Sequence, residues 1–79
     1  MTGRAEMINS IARELGGGRS ARNQAIEMIN SAGSVDWFSV EIDWRIIKPA
    51  AKICGSWAVA KAALFDAQDQ LRHRLRETP

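Results

Sequence analysis

The feature that most limits the fold is a seam of apolar residues in the C-terminal third of the chain. Ile53, Trp57, Ala60, Leu64, Ala67 and Leu71 recur at alternating spacings of four and three, and Leu75 extends the edge. That period lines one stripe of a helix and no single face of a strand. It predicts one long helix over 50–76, opened by Pro49, which suits a first helical turn. Gly55-Ser56 is the weak point, where the helix either kinks or restarts with Ser56 as N-cap. Arg72, His73, Arg74 and Arg76 gather near the C-terminus, where cations complement the helix dipole.

Two shorter helices are predicted upstream. Ile8, Ile11, Ala12 and Leu15 make the amphipathic stripe of a helix over 4–15, which Gly16-Gly17-Gly18 ends. Ser20 suits the N-cap of a second helix over 21–32, with Ala25, Ile26 and Ile29 as its apolar side and Gly33 as its stop. Glu6-Met7-Ile8-Asn9-Ser10 recurs as Glu27-Met28-Ile29-Asn30-Ser31. Either the two helices pack as a pseudo-symmetric pair or the match is chance. Two copies fall short of a solenoid.

Between these regions the period changes. Phe38, Val40, Ile42, Trp44 and Ile46 alternate with Ser39, Glu41, Asp43 and Arg45, the pattern of a half-buried strand. Residues 37–46 are therefore expected to be extended, although Trp37, Val40, Trp44 and Ile47 alone also fit a helix. The fold class that follows is mainly α: a short helical hairpin, one extended Trp-rich segment and a long C-terminal helix. With 79 residues this is a single small domain over 1–79. A lone strand cannot satisfy its own ladder, so pairing with a second copy or with a partner's sheet edge is expected.

Composition excludes several classes. Eleven Lys and Arg against nine Asp and Glu give a net charge of +2, small for a dedicated nucleic-acid binder. Cys54 is the only cysteine, so no intrachain disulfide forms and a reducing compartment is expected. The first residues lead into no apolar stretch, and the run from Trp57 to Phe65 is broken by Lys61. A cytoplasmic protein with no membrane partner is the expectation.

No catalytic constellation emerges. His73 is the only histidine and Cys54 the only cysteine, so no Cys/His metal set forms within one chain. Glu41 and Asp43 read as the wet side of the strand, not as an acid–base pair. Gly16-Gly17-Gly18-Arg19-Ser20 departs from a phosphate loop, because Arg13 stands where the first glycine belongs and a helix precedes it. The expectation is a non-enzyme, with no cofactor, no metal and no small-molecule substrate.

Residues 11–26 resemble a DNA-binding helix-turn-helix. Ile11-Ala12-Arg13-Glu14-Leu15-Gly16 is similar to that family's first helix and turn. Arg19-Ser20-Ala21 and Ala25-Ile26 match its second helix. The resemblance implies that Arg19, Ser20, Asn23 and Gln24 face the major groove, with Arg13 and Arg22 on phosphates. Gly17 and Arg22 depart from the pattern, which prefers apolar residues there.

Trp37, Phe38 and Trp44 are three of the five aromatic residues and lie within eight positions of one another. Tryptophan is enriched where proteins dock. It equally fills the core of a small domain, so the cluster is either core or interface; if interface, partner contacts are expected at Trp37, Phe38, Glu41, Asp43 and Trp44. In size and in lacking a catalytic set, the chain resembles accessory proteins of phages and mobile elements, including inhibitors of bacterial defence complexes. The functional expectation is a protein-binding regulator or inhibitor, with a helix-turn-helix DNA-binding regulator as the alternative.

Overall fold

A computed structural model describes residues 3–77, with side chains as far as Arg74. The chain is mainly α, with four helices and no strand among the described residues: α1 (Arg4–Glu14), α2 (Gly18–Ser31), α3 (Trp44–Cys54) and α4 (Trp57–Glu77). Each helix packs against two others in the cycle α1–α2–α3–α4–α1.

The first turn is made by its glycines. Gly17 N–H donates to Ala12 O at 2.9 Å and Gly16 N–H to Arg13 O at 3.2 Å, which uses up the last carbonyls of α1. Gly16, Gly17 and Gly18 all have positive φ, so side chains here would be strained. The second helix starts at Gly18, earlier than the predicted 21, and Ser20 lies in its first turn instead of capping it.

The repeated pentapeptides do equivalent work. Met7 and Ile8 are buried in α1, and Met28 and Ile29 are buried in α2. Asn9 accepts from Arg22 on α2, while Asn30 accepts from Arg4 on α1. Each asparagine thus holds an arginine of the opposite helix. An early residue of α1 meets a late one of α2, so the two helices run antiparallel.

The predicted strand is absent. Residues 37–39 form a turn, 40–43 are irregular, and α3 already begins at Trp44. Two aspartates explain the change. Asp36 accepts from Phe38 N–H at 3.1 Å and from Ser39 Oγ at 3.0 Å, closing a tight turn. Asp43 caps α3 by accepting from Arg45 N–H at 3.0 Å. The apparent alternation therefore runs across a turn, an irregular stretch and a helix start. The apolar side of α3 is Ile46, Ile47 and Ala50, with Ile53 and Cys54 half-buried beside them.

The single long helix predicted over 50–76 is two helices. Gly55 takes φ +83° and stops α3; Ser56 Oγ then accepts from Val59 N–H at 3.2 Å and caps α4. Of the two outcomes expected at Gly55-Ser56, restart is the observed one. Pro49 sits inside α3 and not in the first turn of α4, which leaves the Arg45 carbonyl without a helical donor, at the surface. The seam survives in part: Ala60, Leu64, Ala67 and Leu71 are buried, but Trp57 is 48% exposed. Leu75 lies outside the residues whose side chains are described.

The core centres on Trp37, Met7, Ile11, Met28, Ile29 and Leu64, each fully buried. Gly3 closes one end. Its φ of +81° strains any other residue, and a methyl group there would come within 3.2 Å of Trp37 Cβ and would displace the end of the Leu71 side chain. Leu64→Ala removes the central side chain of α4 and should lower unfolding free energy by about 2–5 kcal/mol, measured by urea denaturation. A change below about 0.5 kcal/mol would show that Leu64 is not part of the core.

Candidate docking surface

The segment between α2 and α3 is held from α4. Gln68 is buried, and its Nε2 donates to Trp37 O at 3.1 Å and to Val40 O at 2.7 Å. One turn on, Arg72 Nε donates to Phe38 O at 2.9 Å. These carbonyls are therefore satisfied within the chain. The basis for strand pairing with a second copy is gone.

The five expected partner contacts separate into two groups. Trp37 is 0% exposed, so it belongs to the core and not to a contact surface. Asp43 is occupied as the cap of α3 and in an ion pair with Arg45 at 2.7 Å. The Arg45 guanidinium beside it holds its carboxyl below the usual carboxylate range. Phe38 is half-buried against the core, and Glu41 is exposed. Trp44, the first residue of α3, is 62% exposed, the most open large apolar side chain among the described residues.

Other exposed apolar side chains were not expected. Trp57, Val59 and Phe65 on α4 are 48%, 45% and 43% exposed. Trp57 shares the stripe of Ala60 and Leu64 but is the first residue of α4, at the end of the seam, where it stays half-exposed.

The residues expected to meet nucleic acid are largely at the surface. Arg13, Arg19, Ser20, Arg22 and Asn23 are exposed, and Gln24 is half-buried. Arg22 Nη1 donates to Asn9 Oδ1 at 3.0 Å, so its guanidinium is not forced into the core. Arg13 Nη2 reaches Gln70 Oε1 at 3.3 Å and Ser10 Oγ at 3.4 Å, tying α1 to α4.

On that α1–α4 seam two carboxyl groups meet. Glu14 lines a shallow cleft with Val59, Ala62 and Ala63, and its carboxyl lies beside that of Asp66. Desolvation, then the contact and charge of Asp66, push the Glu14 carboxyl up to about 7. Asp66 in turn accepts from Gln70 Nε2 at 2.9 Å. No group of three or more His, Cys, Asp and Glu that could hold a metal occurs among the described residues. None of the described helices is long and apolar enough to cross a membrane.

Compared with known protein families, with curated proteins and with solved structures, the chain matches none.

Two outcomes test this geometry. Gln68→Ala leaves two carbonyls without their donor and should destabilise the fold by about 1–3 kcal/mol for each that stays buried. Hydrogen exchange should quicken in residues 36–42 before it does in α1 and α2. Glu14 has a folded pKa above its ordinary 4.5. Its stabilising contribution is complete below about pH 4.5 and is lost as pH rises through about 7. Glu14→Gln should remove that decline, so the wild-type melting temperature should fall relative to the variant's over this window. Parallel pH profiles would overturn the assignment.

Proposed function

We propose that this chain is a non-enzymatic, protein-binding regulator or inhibitor that docks on a larger protein or complex. Phage and mobile-element accessory proteins that act on bacterial defence complexes are the analogous class. Trp44 is the observation that carries the reading. A small domain that fully buries one tryptophan in its core leaves another open at the head of a capped helix. Burying such a side chain in a partner contributes a large part of a typical binding energy. The capped start of α3 fixes its position in advance, which lowers the entropy lost on docking.

A helix-turn-helix regulator is the second reading, favoured by the short connection from α1 to α2 and by exposed Arg19, Ser20 and Asn23. The far ends of that hairpin argue for ranking it second. Helices leaving a short turn at 90–120° would hold Arg4 and Asn30 roughly 20 Å apart. An arginine and an asparagine cannot bridge such a gap, yet these two are hydrogen-bonded.

The test places a photo-crosslinking residue at position 44 or at position 19 of the full chain in its own host. A protein adduct at 44 is expected, with little nucleic acid at 19. Duplex DNA captured at 19, with no protein captured at 44, would reverse the two readings.

A further inference from the structure

The α3–α4 hairpin carries a pattern in its charges as well as in its aromatic residues. From Trp44 to Phe65 there are four basic residues, Arg45, Lys48, Lys52 and Lys61, and no acidic one. The whole chain is only +2, so everything outside this stretch is net negative. Arg45 is engaged with Asp43. Lys48, Lys52 and Lys61 are exposed, and none has an ion-pair partner among the described residues.

Spacing sorts these residues into two rows. Trp44, Lys48 and Lys52 follow one another at four-residue intervals on α3, and Trp57, Lys61 and Phe65 do so on α4. Gln68 and Arg72 continue the second row, and both reach the carbonyls of the segment leading into α3. That flank of α4 is therefore the one beside α3. The opposite flank meets α1 through Asp66 and Gln70. Both rows thus lie on the solvent side of one helical hairpin.

We infer that this face binds an acidic amphipathic helix of a partner protein, with its carboxylates over the three lysines and its apolar residues against Trp44, Trp57 and Phe65. The inference rests on the protein-docking reading above and names the chemistry of the partner. Charge complementarity supplies the sign: an uncompensated cationic face attracts carboxylates and repels basic competitors. The aromatic spacing supplies the shape. Trp57 and Phe65 stand about 12 Å apart along α4, which matches anchors two turns apart on a second helix. Successive stacked bases would need closer platforms, and phosphate recognition favours the arginine fork over lysine. A membrane-inserting face would not place Lys61 between Trp57 and Phe65.

A display library of random helix-length peptides, screened against the full chain, tests this. Enriched peptides should carry Asp or Glu together with large apolar residues at helical spacing. Their binding should weaken about ten-fold with Trp57→Ala and with Lys61→Glu, and it should weaken with added salt. Lys61 is exposed, so Lys61→Glu should keep the parent's melting temperature; Trp57 is half-exposed, so binding by Trp57→Ala is compared well below that variant's own melting temperature. Remaking the best peptide with amides in place of its carboxylates should abolish binding. Enrichment without acidic residues, or equal binding by both variants, would overturn the inference. So would tighter binding to anionic phospholipid vesicles or to single-stranded oligonucleotide. A protein crosslinked at position 44 through a neutral or basic segment would sink this inference alone. Failure to crosslink any protein there would sink the docking reading and this inference with it.

Discussion

The amide of Gln68 holds the connection between two halves of the molecule. A polar side chain buried among helices is tolerated only if its hydrogen bonds are made inside. Gln68 makes them to the carbonyls of Trp37 and Val40, groups with no helical partner of their own. That exchange lets an irregular segment cross the interior side of α4. It also fixes the depth to which Trp37 enters the core. Trp37 Nε1 is buried with no partner, a cost of about 1–3 kcal/mol. The large area that the indole buries offsets it. Shape and area hold the indole, while hydrogen bonding holds only the backbone carbonyl of this residue.

How much of this was legible depends on the range of the interaction. The helical period around Leu64, Ala67 and Leu71 is local, and these residues are buried as their spacing implied. The two N-terminal helices followed from the same periodicity, to within a few residues. The strand over 37–46 failed because alternation was counted without its caps. Asp36 and Asp43 each redirect the backbone locally, and the β-branched residues after Asp43 belong to a helix that buries them against its neighbours. Gln68 could not have been singled out at all. It looks like any polar residue on a helix until its partners, about thirty positions away, are known. The candidate surface was half legible for the same reason: Trp44 stands exposed, whereas Trp37 was drawn into the core by a contact invisible in one dimension.

The repeated pentapeptide is accounted for by packing alone. Its Met and Ile are buried in both copies, and its Asn accepts an arginine from the facing helix in both. Two helices that face each other across one interface meet similar demands, and similar residues meet them. The consequence reaches the charges. Arg4, Arg13 and Arg22 are all engaged by neutral acceptors on a neighbouring helix. They retain their charge but not their freedom, so these three arginines act first as struts.

The lysines of α3 and α4 differ in that respect. An exposed ammonium on a flexible stem, in no ion pair among the described residues, stays hydrated and its field extends about a Debye length into solvent. The carboxyl pair of Glu14 and Asp66 lies on the other flank of α4, at the α1 seam. The raised Glu14 carboxyl and the nearby Arg13 leave that seam only weakly charged, so the cationic row of α4 faces no balancing charge on its own flank, an unevenness that a net charge of +2 conceals. Uneven charge of this kind turns a small protein during diffusional approach, so that one face meets an oppositely charged surface first. Aromatic side chains on that same face then convert encounter into contact, because they bury area with few rotamers to lose. On the proposed docking reading, steering and anchoring reside in the same two rows of side chains. A change that keeps the fold but moves the lysines to another face would leave the aromatics without the field that presents them.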